Sequence, residues 1–272
     1  MIAHPEGSVE HVFERRSING NVKVVHERGR GIAWRIWPAA HVLLQHLENS
    51  APLSSDLWVL ELGAGVGLVG ICCASWGAKK VFLTDLDEAL PALKRSVAAN
   101  EECVSAKVQV CKLAYGDIEA LHLLLQDIPI GADLLVVGSD LTYWESLYEP
   151  LAITMKEILD VHPKTKILLA HTKRDWGGTE KRFFTKLLSQ NGLNVDIVES
   201  FIVEERDAEK QHGTAELMKM EKVNDENPEW TTRLYGVSLK AEKASIPNED
   251  TTLDMFHQYK NLKKNQKRKT GK

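Results

Sequence analysis

The sequence contains few cysteines, and their spacing predicts neither a disulfide framework nor a zinc site. Only four occur among the 272 residues, and no two of them form a Cys-x-x-Cys pair. Two are adjacent inside an apolar segment, a context typical of buried thiols in a reducing compartment. We therefore expect no bound metal ion and free thiols at Cys72, Cys73, Cys103 and Cys111.

Long apolar runs are also missing. No stretch approaches the roughly 18–20 apolar residues that a transmembrane helix requires, and the N-terminal residues MIAHPEGSVEHVFERR contain no apolar signal-peptide core. We therefore expect no membrane association and a cytoplasmic location. The C-terminal run KNLKKNQKRKTGK is rich in lysine and arginine. Such a run is usually a solvated end, with nuclear targeting or an anionic partner as the alternative.

Neither sign of charge is in large excess. The net charge is −4 and the sequence isoelectric point is about 6.2, so the molecule is not the polycation typical of nucleic-acid-binding proteins. Hydrophobic residues make up 43% of the chain and charged residues 26%. This balance is typical of a globular protein, and the length allows a single large core.

The order of the apolar segments predicts an α/β fold that begins with a β-hairpin. Two alternating stretches flank Asn19-Gly20, a strong hairpin signal, and Pro38 begins a helix with apolar residues at helical spacing. From Leu57 onward, five short apolar strands alternate with helices, which indicates a doubly wound parallel sheet. Two closing strands without a helix between them predict an antiparallel edge pair.

The sequence thus predicts a Rossmann-like sheet of seven strands and three segments of chain. These are a hairpin extension over 1–30, a main domain over 31–242 and a basic, disordered tail over 243–272. Between the two closing strands, roughly residues 206–229 are polar and of mixed charge. We expect this stretch to be a long, mobile excursion.

A glycine-rich loop follows the first parallel strand. Residues 59–70 read VLELGAGVGLVG, with Glu61 near the strand end and Gly63, Gly65 and Gly67 after it. Such glycines permit a tight strand-to-helix turn and close approach of a ligand to backbone N–H groups. The second half also matches the GxGxxG of nicotinamide-dependent enzymes, a weak signal alone. The glycine directly after the strand, with an acidic residue two positions earlier, resembles methyltransferases more than dehydrogenases.

Asp85 ends the second parallel strand, twenty residues beyond Gly65. An acidic side chain at this place in such a sheet accepts hydrogen bonds from ribose hydroxyls. A surface turn is the alternative for Asp85. The neighbouring Asp87 is better explained as a cap of the following helix. We therefore predict that Asp85 holds the ribose of a cofactor.

Several motifs together resemble methyltransferase family 16, the non-histone protein-lysine methyltransferases that carry a DxxY motif. In family order over residues 9–240 they are WPAA, ELGAGVGLVG, LTD, the Tyr-Gly-Asp after the third strand and SDLTY after the fourth. The resemblance implies the seven-β-strand methyltransferase sheet, S-adenosylmethionine as cofactor and a protein lysine as acceptor. We also expect a monomer. The expected cofactor contacts are Trp37, Glu61, Gly63, Ala64, Gly65, Asp85, Tyr115 and Ser139.

The DxxY motif of the resemblance is Asp140-Leu141-Thr142-Tyr143, and we expect its first and last residues to serve the acceptor. A lysine nucleophile must lose a proton, because its free pKa is about 10.4. Desolvation and the nearby sulfonium lower that pKa, whereas a carboxylate opposes the shift. We therefore expect Asp140 to orient the amine and Tyr143 to bind it through its ring face or hydroxyl. No dedicated general base is expected.

Two positions depart from the family pattern. The family usually has tryptophan where Tyr115 stands, against the adenine, and a tyrosine keeps a flat face for stacking. Alanine is more frequent at Ser139, whose backbone is still able to line the cofactor. Four of the predicted site residues also have a purely structural interpretation. Trp37 would be a core aromatic residue and Tyr115 would pack at the start of a helix. Asp140 would cap its loop, and Tyr143 would line a surface without binding the acceptor.

Three other functions remain open from the sequence. The same fold also serves arginine, histidine, small-molecule or RNA acceptors. RNA is disfavoured because the chain has SDLTY in place of the Asn/Asp-Pro-Pro-Tyr of nucleobase amino-methyltransferases. A nicotinamide oxidoreductase would use Gly65–Gly70. The intact glycine loop and Asp85 argue against the third alternative, a non-catalytic interaction protein.

Overall fold

The structure is a computed structural model that describes most of the chain. The described residues are 9–17, 20–28, 31–50, 53–104, 107–173, 178–205, 218–222 and 231–240. The tail predicted for 243–272 lies outside these ranges, as does Asn19 of the predicted turn. Of the polar stretch predicted as a mobile excursion, only 218–222 is described.

The predicted N-terminal β-hairpin is present and packs on the main body. Strand β1 (Val9–Ser17) pairs antiparallel with β2 (Gly20–Arg28). The backbone N–H of Val25 donates to the Ser96 hydroxyl at 3.0 Å, and Val22 and Val24 of β2 are buried in a core that they share with the helices. Burial of these valines and hydrogen bonding attach the hairpin to the body.

The strands predicted from the apolar runs and one further strand assemble into one sheet. In spatial order they are β5 (Val108–Lys112), β4 (Lys80–Asp85), β3 (Trp58–Glu61), β6 (Leu134–Ser139), β7 (Lys166–Thr172), β10 (Thr231–Leu239), β8 (Leu193–Glu205) and β9 (Met218–Lys222). The first five are parallel, and the last three are antiparallel to their neighbours. The predicted seven-stranded, mostly parallel sheet is therefore confirmed, with β10 inserted between β7 and β8.

An eighth strand lies within the stretch predicted as an excursion. Strand β9 pairs antiparallel with the distal half of β8, matching Met218 with Glu205 and Lys222 with Phe201. Its sequence, MKMEK, is short and alternates polar with apolar residues, as is common for an edge strand. The stretch expected to be a long, mobile excursion therefore contains a strand at these five residues, because a long β8 offers an edge on which they pair.

Helices cover both faces of the sheet. They are α1 (Pro38–Asn49), α2 (Leu68–Ser75), α3 (Leu90–Ala98), α4 (Glu101–Val104), α5 (Ile118–Leu125), α6 (Tyr148–Val161) and α7 (Leu188–Gln190), with a π-helix over Glu180–Leu187 and 3₁₀ turns over Ile32–Trp34 and Glu145–Leu147. Adjacent strand residues point to opposite faces, so Val59 joins the core under α1 and α2 while Leu60 joins the core under α5 and α6. Every residue of α2 is buried.

The described part of the chain has neither a metal-binding cluster nor a membrane-spanning helix. There, no group of histidine, cysteine or acidic residues has the geometry to hold a metal ion. Cys72 and Cys73 are free and buried, and Cys111 is free and half-buried. No helix in the described ranges is long and apolar enough to cross a membrane.

Candidate active site

One cavity of about 270 Å³ opens at the carboxyl ends of the parallel strands. This edge is where ligands of doubly wound sheets bind. All ten residues predicted as site residues line the cavity: Trp37, Glu61, Gly63, Ala64, Gly65, Asp85, Tyr115, Ser139, Asp140 and Tyr143. The topology brings them together because β3, β4, β5 and β6 are neighbours and each ends at this edge.

The glycine loop after β3 forms a floor that side chains would block. Gly63 and Gly65 have left-handed φ values of 59° and 56°, which residues with a Cβ rarely adopt. A Cβ on Gly63 would collide with the Tyr115 hydroxyl and lie 2.8 Å from Leu141. A Cβ on Gly65 would lie 3.1 Å from the carbonyl oxygen of Ala33. The loop therefore needs glycine for its conformation and for its close neighbours.

Asp85 ties the end of β4 to the glycine loop. Its carboxylate accepts hydrogen bonds from the N–H of Gly65 and from the N–H of Leu86, each at 2.7 Å. Burial raises the pKa of Asp85 from its ordinary value, although both hydrogen bonds oppose the rise. The residue therefore holds the loop in place and also presents its carboxyl group to the cavity.

Glu61 is a buried acid beneath the same loop. Its side chain is 2% exposed, and it accepts a 2.8 Å hydrogen bond from the N–H of Gly70 in α2. Burial raises the pKa of Glu61 to about 8; the Gly70 hydrogen bond opposes this rise and the charge of Asp85 adds to it. At neutral pH the protein therefore holds Glu61 mostly protonated, and a cation placed beside it would favour ionisation.

The segment before α1 covers the glycine loop. The indole N–H of Trp37 donates to the carbonyl oxygen of Ile32 at 3.0 Å, which folds the segment into a tight turn. The guanidinium carbon of Arg35 lies 4.2 Å from the centre of the Trp37 ring. Both side chains line the cavity. Arg35 was not among the predicted site residues, although its place two positions before Trp37 is a signal available in the sequence.

Tyr115 and Ser139 form parts of the opposite wall. Tyr115, in the turn after β5, is half-buried and lies against Gly63. Burial raises the pKa of its hydroxyl well above the usual range, so the phenol stays neutral. Ser139 is the last residue of β6 and pairs with Ala170 of β7. The structure therefore places both residues that depart from the family pattern at the cavity.

The loop after β6 starts from an unusual backbone conformation. Asp140 has φ 53°, the only non-glycine residue with positive φ in the described ranges, and such conformations often mark functional loops. Its side chain, 6% exposed, accepts a 2.8 Å hydrogen bond from the N–H of Thr172. Its own N–H donates to the carbonyl oxygen of Ala170 at 2.8 Å. Asp140 therefore caps the loop against β7 as well as lining the cavity.

Aromatic side chains stand at the mouth of the cavity. Tyr143 is 44% exposed and Trp144 is 60% exposed, and their ring centres are 4.9 Å apart in an edge-on arrangement. Burial first, and then the negative charges of Asp85 and Glu88, raise the pKa of the Tyr143 hydroxyl. The mouth therefore combines exposed aromatic rings with nearby acidic side chains, and both features favour cationic groups.

Other lining residues were not predicted, and most of them are apolar. They include Ile32, Ile36, Leu86, Leu113, Leu141, Leu147 and Pro150. Leu86 directly follows Asp85, and Trp144 directly follows the DxxY motif at the mouth. A large apolar residue directly beside a predicted site residue is the sequence signal for such positions, and both side chains are exposed in the structure. The remaining apolar lining residues are indistinguishable from core residues in the sequence.

Comparisons with known proteins agree with this geometry. The profile described as lysine methyltransferase matches residues 17–190. EEF1A lysine methyltransferase 3 of Mus musculus is 34% identical over 161 residues, which cover 59% of this chain and 64% of that protein. Protein-lysine N-methyltransferase EFM6 of Saccharomyces cerevisiae is 29% identical over 197 residues, which cover 65% of this chain and 77% of that protein. The match spans less than two thirds of the mouse relative.

A solved structure shares the fold. P. horikoshii TYW2 in complex with MeSAdo aligns with a TM-score of 0.51 at 14% sequence identity, over 87% of this chain and 74% of that chain. At this identity the likeness concerns the fold alone. The family profile, in contrast, covers more than half of the chain and includes the glycine loop, Asp85 and the DxxY loop. The chain therefore belongs to the lysine methyltransferase family.

Proposed function

We propose that this protein transfers the methyl group of S-adenosylmethionine to a lysine side chain of another protein. The observation that carries the proposal is the single cavity that joins the glycine loop and Asp85 to the DxxY loop. The first two features are suited to a nucleoside-containing cofactor. Tyr143 of the third stands half-exposed at the mouth, where an acceptor would enter.

The residues at the cavity floor fit S-adenosylmethionine. A Cβ would fill the cradle formed by Gly63 and Gly65, and Asp85 presents a carboxyl group for ribose hydroxyls. Tyr115 offers a flat ring for the adenine, and Trp37 lies at the end proposed for the methionine moiety. When bound, the cofactor supplies an electrophilic methyl group on a sulfonium. The protein contributes by holding the reacting groups in line and excluding water.

The DxxY loop is suited to a lysine acceptor. The negative charges of Asp85 and Glu88 that act on Tyr143 attract an ammonium group to the mouth. Inside the cavity, apolar residues desolvate the amine, which lowers its pKa and favours the neutral nucleophile. Asp140 holds the loop through Thr172, and we propose that its carboxylate also orients the amine. The proton leaves to solvent along the mouth.

The names of the relatives suggest a first acceptor to test. One relative is called EEF1A lysine methyltransferase, so we propose EEF1A as the first candidate protein. We also propose that the enzyme works as a monomer in the cytoplasm. The apolar and aromatic mouth offers contact area for a protein segment, since exposed aromatic side chains are frequent in protein interfaces.

Labelling of natural acceptors tests the proposal. Purified protein is incubated with radiolabelled S-adenosylmethionine and either cell extract or EEF1A, and labelled bands are analysed by mass spectrometry. We expect methylated lysine in at least one protein band, and much weaker labelling with Asp85→Ala at the same cofactor concentration. Label on arginine, histidine or RNA would contradict the lysine acceptor. Titration calorimetry with S-adenosylhomocysteine and with NAD separates the nicotinamide alternative, because only the first is expected to bind.

A further inference from the structure

The cavity contains an excess of acidic side chains and one cation. Glu61, Asp85 and Asp140 contribute three carboxyl groups to its lining. Among the described residues that line it, Arg35 is the only one with a permanent positive charge. An ionised acid in this lining would repel a ligand with a carboxylate unless the ligand's negative charge lay beside this arginine.

Arg35 is held in place by an aromatic ring. Its guanidinium carbon lies 4.2 Å from the Trp37 ring centre, a distance typical of a cation–π contact. Trp37 is fixed in turn by its hydrogen bond to Ile32. Stacking on a ring orients the guanidinium plane and leaves its N–H groups available at the edge. Within the described part of the chain, no carboxylate lies in ion-pair distance of Arg35.

The position of Arg35 places it near the glycine loop. The segment that carries it lies on this loop, since a Cβ on Gly65 would come 3.1 Å from the Ala33 carbonyl oxygen. Beneath the loop, Glu61 is bonded to Gly70 at the start of α2. The cavity lining therefore includes one cation, Arg35, and an ionisable acid beneath the glycine loop, Glu61. These are the complement of an amino acid's carboxylate and ammonium groups.

We propose that Arg35 forms a carboxylate subsite that binds the α-carboxylate of the cofactor's methionine moiety. The inference rests on the proposed use of S-adenosylmethionine. Guanidinium and carboxylate groups form paired N–H···O hydrogen bonds, which bind more strongly than neutral ones. Arg35 is a binding residue here: it sets the position of the amino-acid end and, through it, the direction of the sulfonium.

A pair of ligands that differ only in the carboxylate tests the subsite. S-Adenosylhomocysteine carries the carboxylate, whereas S-adenosyl-3-thiopropylamine keeps the adenosine, sulfur and amine and lacks it. Titration calorimetry measures both ligands on wild type and on Arg35→Gln, which completes a double-mutant cycle. We expect Arg35→Gln to bind S-adenosylhomocysteine about tenfold more weakly, the effect of one charge-assisted hydrogen bond. The affinity of Arg35→Gln for S-adenosyl-3-thiopropylamine should differ from that of wild type by less than about twofold, because this ligand lacks the carboxylate contact.

Arg95→Gln is the matched control. The guanidinium carbon of Arg95 lies 5.7 Å from the centre of the Trp34 ring, in the same segment of chain, but Arg95 does not line the cavity. We expect this variant to keep the wild-type ratio of the two affinities. An equal loss for both ligands in Arg35→Gln, or no loss for either, would overturn the carboxylate subsite. The same change in the ratio of the two affinities in Arg95→Gln would also overturn it, because the effect would then come from loosening of the segment that contains Trp34 and Arg35.

The two proposals fail in different ways. If wild type binds neither ligand, the proposed cofactor is wrong and the subsite falls with it. If wild type binds S-adenosylhomocysteine but Arg35→Gln keeps its preference for the carboxylate, only the subsite is wrong. Raising the salt concentration gives an independent check, since screening weakens exposed charge pairs. The preference of wild type for the carboxylate should shrink with salt, and Arg35→Gln should show no such change.

Discussion

The N–H of Thr172 donates a 2.8 Å hydrogen bond to the Asp140 carboxylate, which joins the loop after β6 to the last residue of β7. A second contact, from the Thr172 hydroxyl to the other carboxylate oxygen, measures 3.4 Å. Asp140 therefore has a structural role that the DxxY motif by itself does not reveal. The same side chain lines the cavity, so its role in catalysis must be separated from its role as a cap.

Two substitutions of Asp140 separate these roles. Asn keeps an oxygen for the Thr172 N–H and removes the charge, whereas Ala removes both. We expect Asp140→Ala to lower both the melting temperature and methyl transfer, and Asp140→Asn to keep most of the melting temperature. Transfer should still fall about 10²-fold in the Asn variant, the scale of a misaligned nucleophile. Full turnover by Asp140→Asn would show that Asp140 acts only as a loop cap.

Removal of the Tyr143 hydroxyl tests its contact with the acceptor. We expect Tyr143→Phe to lower methyl transfer by roughly 10²-fold through misalignment, with little change in affinity for S-adenosylhomocysteine. Tyr148→Phe is the control, because the Tyr148 hydroxyl donates to Thr179 at 2.9 Å outside the cavity lining. The control should change stability and leave turnover intact. Wild-type turnover by Tyr143→Phe would show that the hydroxyl plays no part and that Tyr143 contacts the acceptor only through the face of its ring.

Asp85 and its neighbour Asp87 give a matched pair for the ribose contact. We expect Asp85→Ala to weaken cofactor binding by about 1.5–3 kcal/mol, the range for hydrogen bonds to a charged group. Asp87 is exposed and forms an ion pair with Lys112, so Asp87→Ala should leave affinity unchanged. Titration calorimetry on both variants measures the difference. A larger effect from Asp87→Ala would mean that the ribose is misplaced.

Glu61 should make stability fall as pH rises. Its pKa of about 8 in the folded protein lies above the ordinary value of 4.5, so the folded state binds more protons than the unfolded state between these values. The free energy of unfolding should therefore decrease from about pH 5 to pH 9, by as much as about 4 kcal/mol at 1.36 kcal/mol per pKa unit. Glu61→Gln keeps an acceptor for Gly70 and should remove this dependence. Denaturant titrations at both pH values measure the free energy of unfolding of wild type and of Glu61→Gln. An equal change between the two pH values in both proteins would contradict the assignment.

His162 should act in the opposite direction, in acid. It is buried after α6, and burial lowers its pKa from 6.5 to about 4. Neither ring nitrogen has a hydrogen-bond partner among the described residues. Between pH 6.5 and 4 the unfolded state therefore binds a proton that the folded state does not. The free energy of unfolding decreases as the pH is lowered through that window. His162→Leu should reduce the loss of melting temperature between pH 6.5 and 4. An unchanged loss would mean that another group causes it.

The sequence by itself determined the fold, the family and the composition of the cavity floor. Apolar runs and helical spacing are local properties, so they predicted the hairpin, the parallel strands and the order of the elements. The glycine loop, Asp85 and the DxxY motif each follow a strand, and a parallel sheet necessarily brings such strand ends to one edge. Family membership followed from these same motifs. The role of each side chain at the site remains a prediction for the experiments above.

Only the tertiary structure decided which groups meet across the chain. Residues distant in sequence make the cap between Asp140 and Thr172, the contact of Ala33 with Gly65 and the burial that raises the pKa of Glu61. Strand β9 likewise formed because β8 offered a free edge. Such contacts depend on how elements pack, and burial and hydrogen bonding act through space. Local sequence patterns predict the secondary structure of each element, but the environment of a side chain is set by its neighbours in the fold.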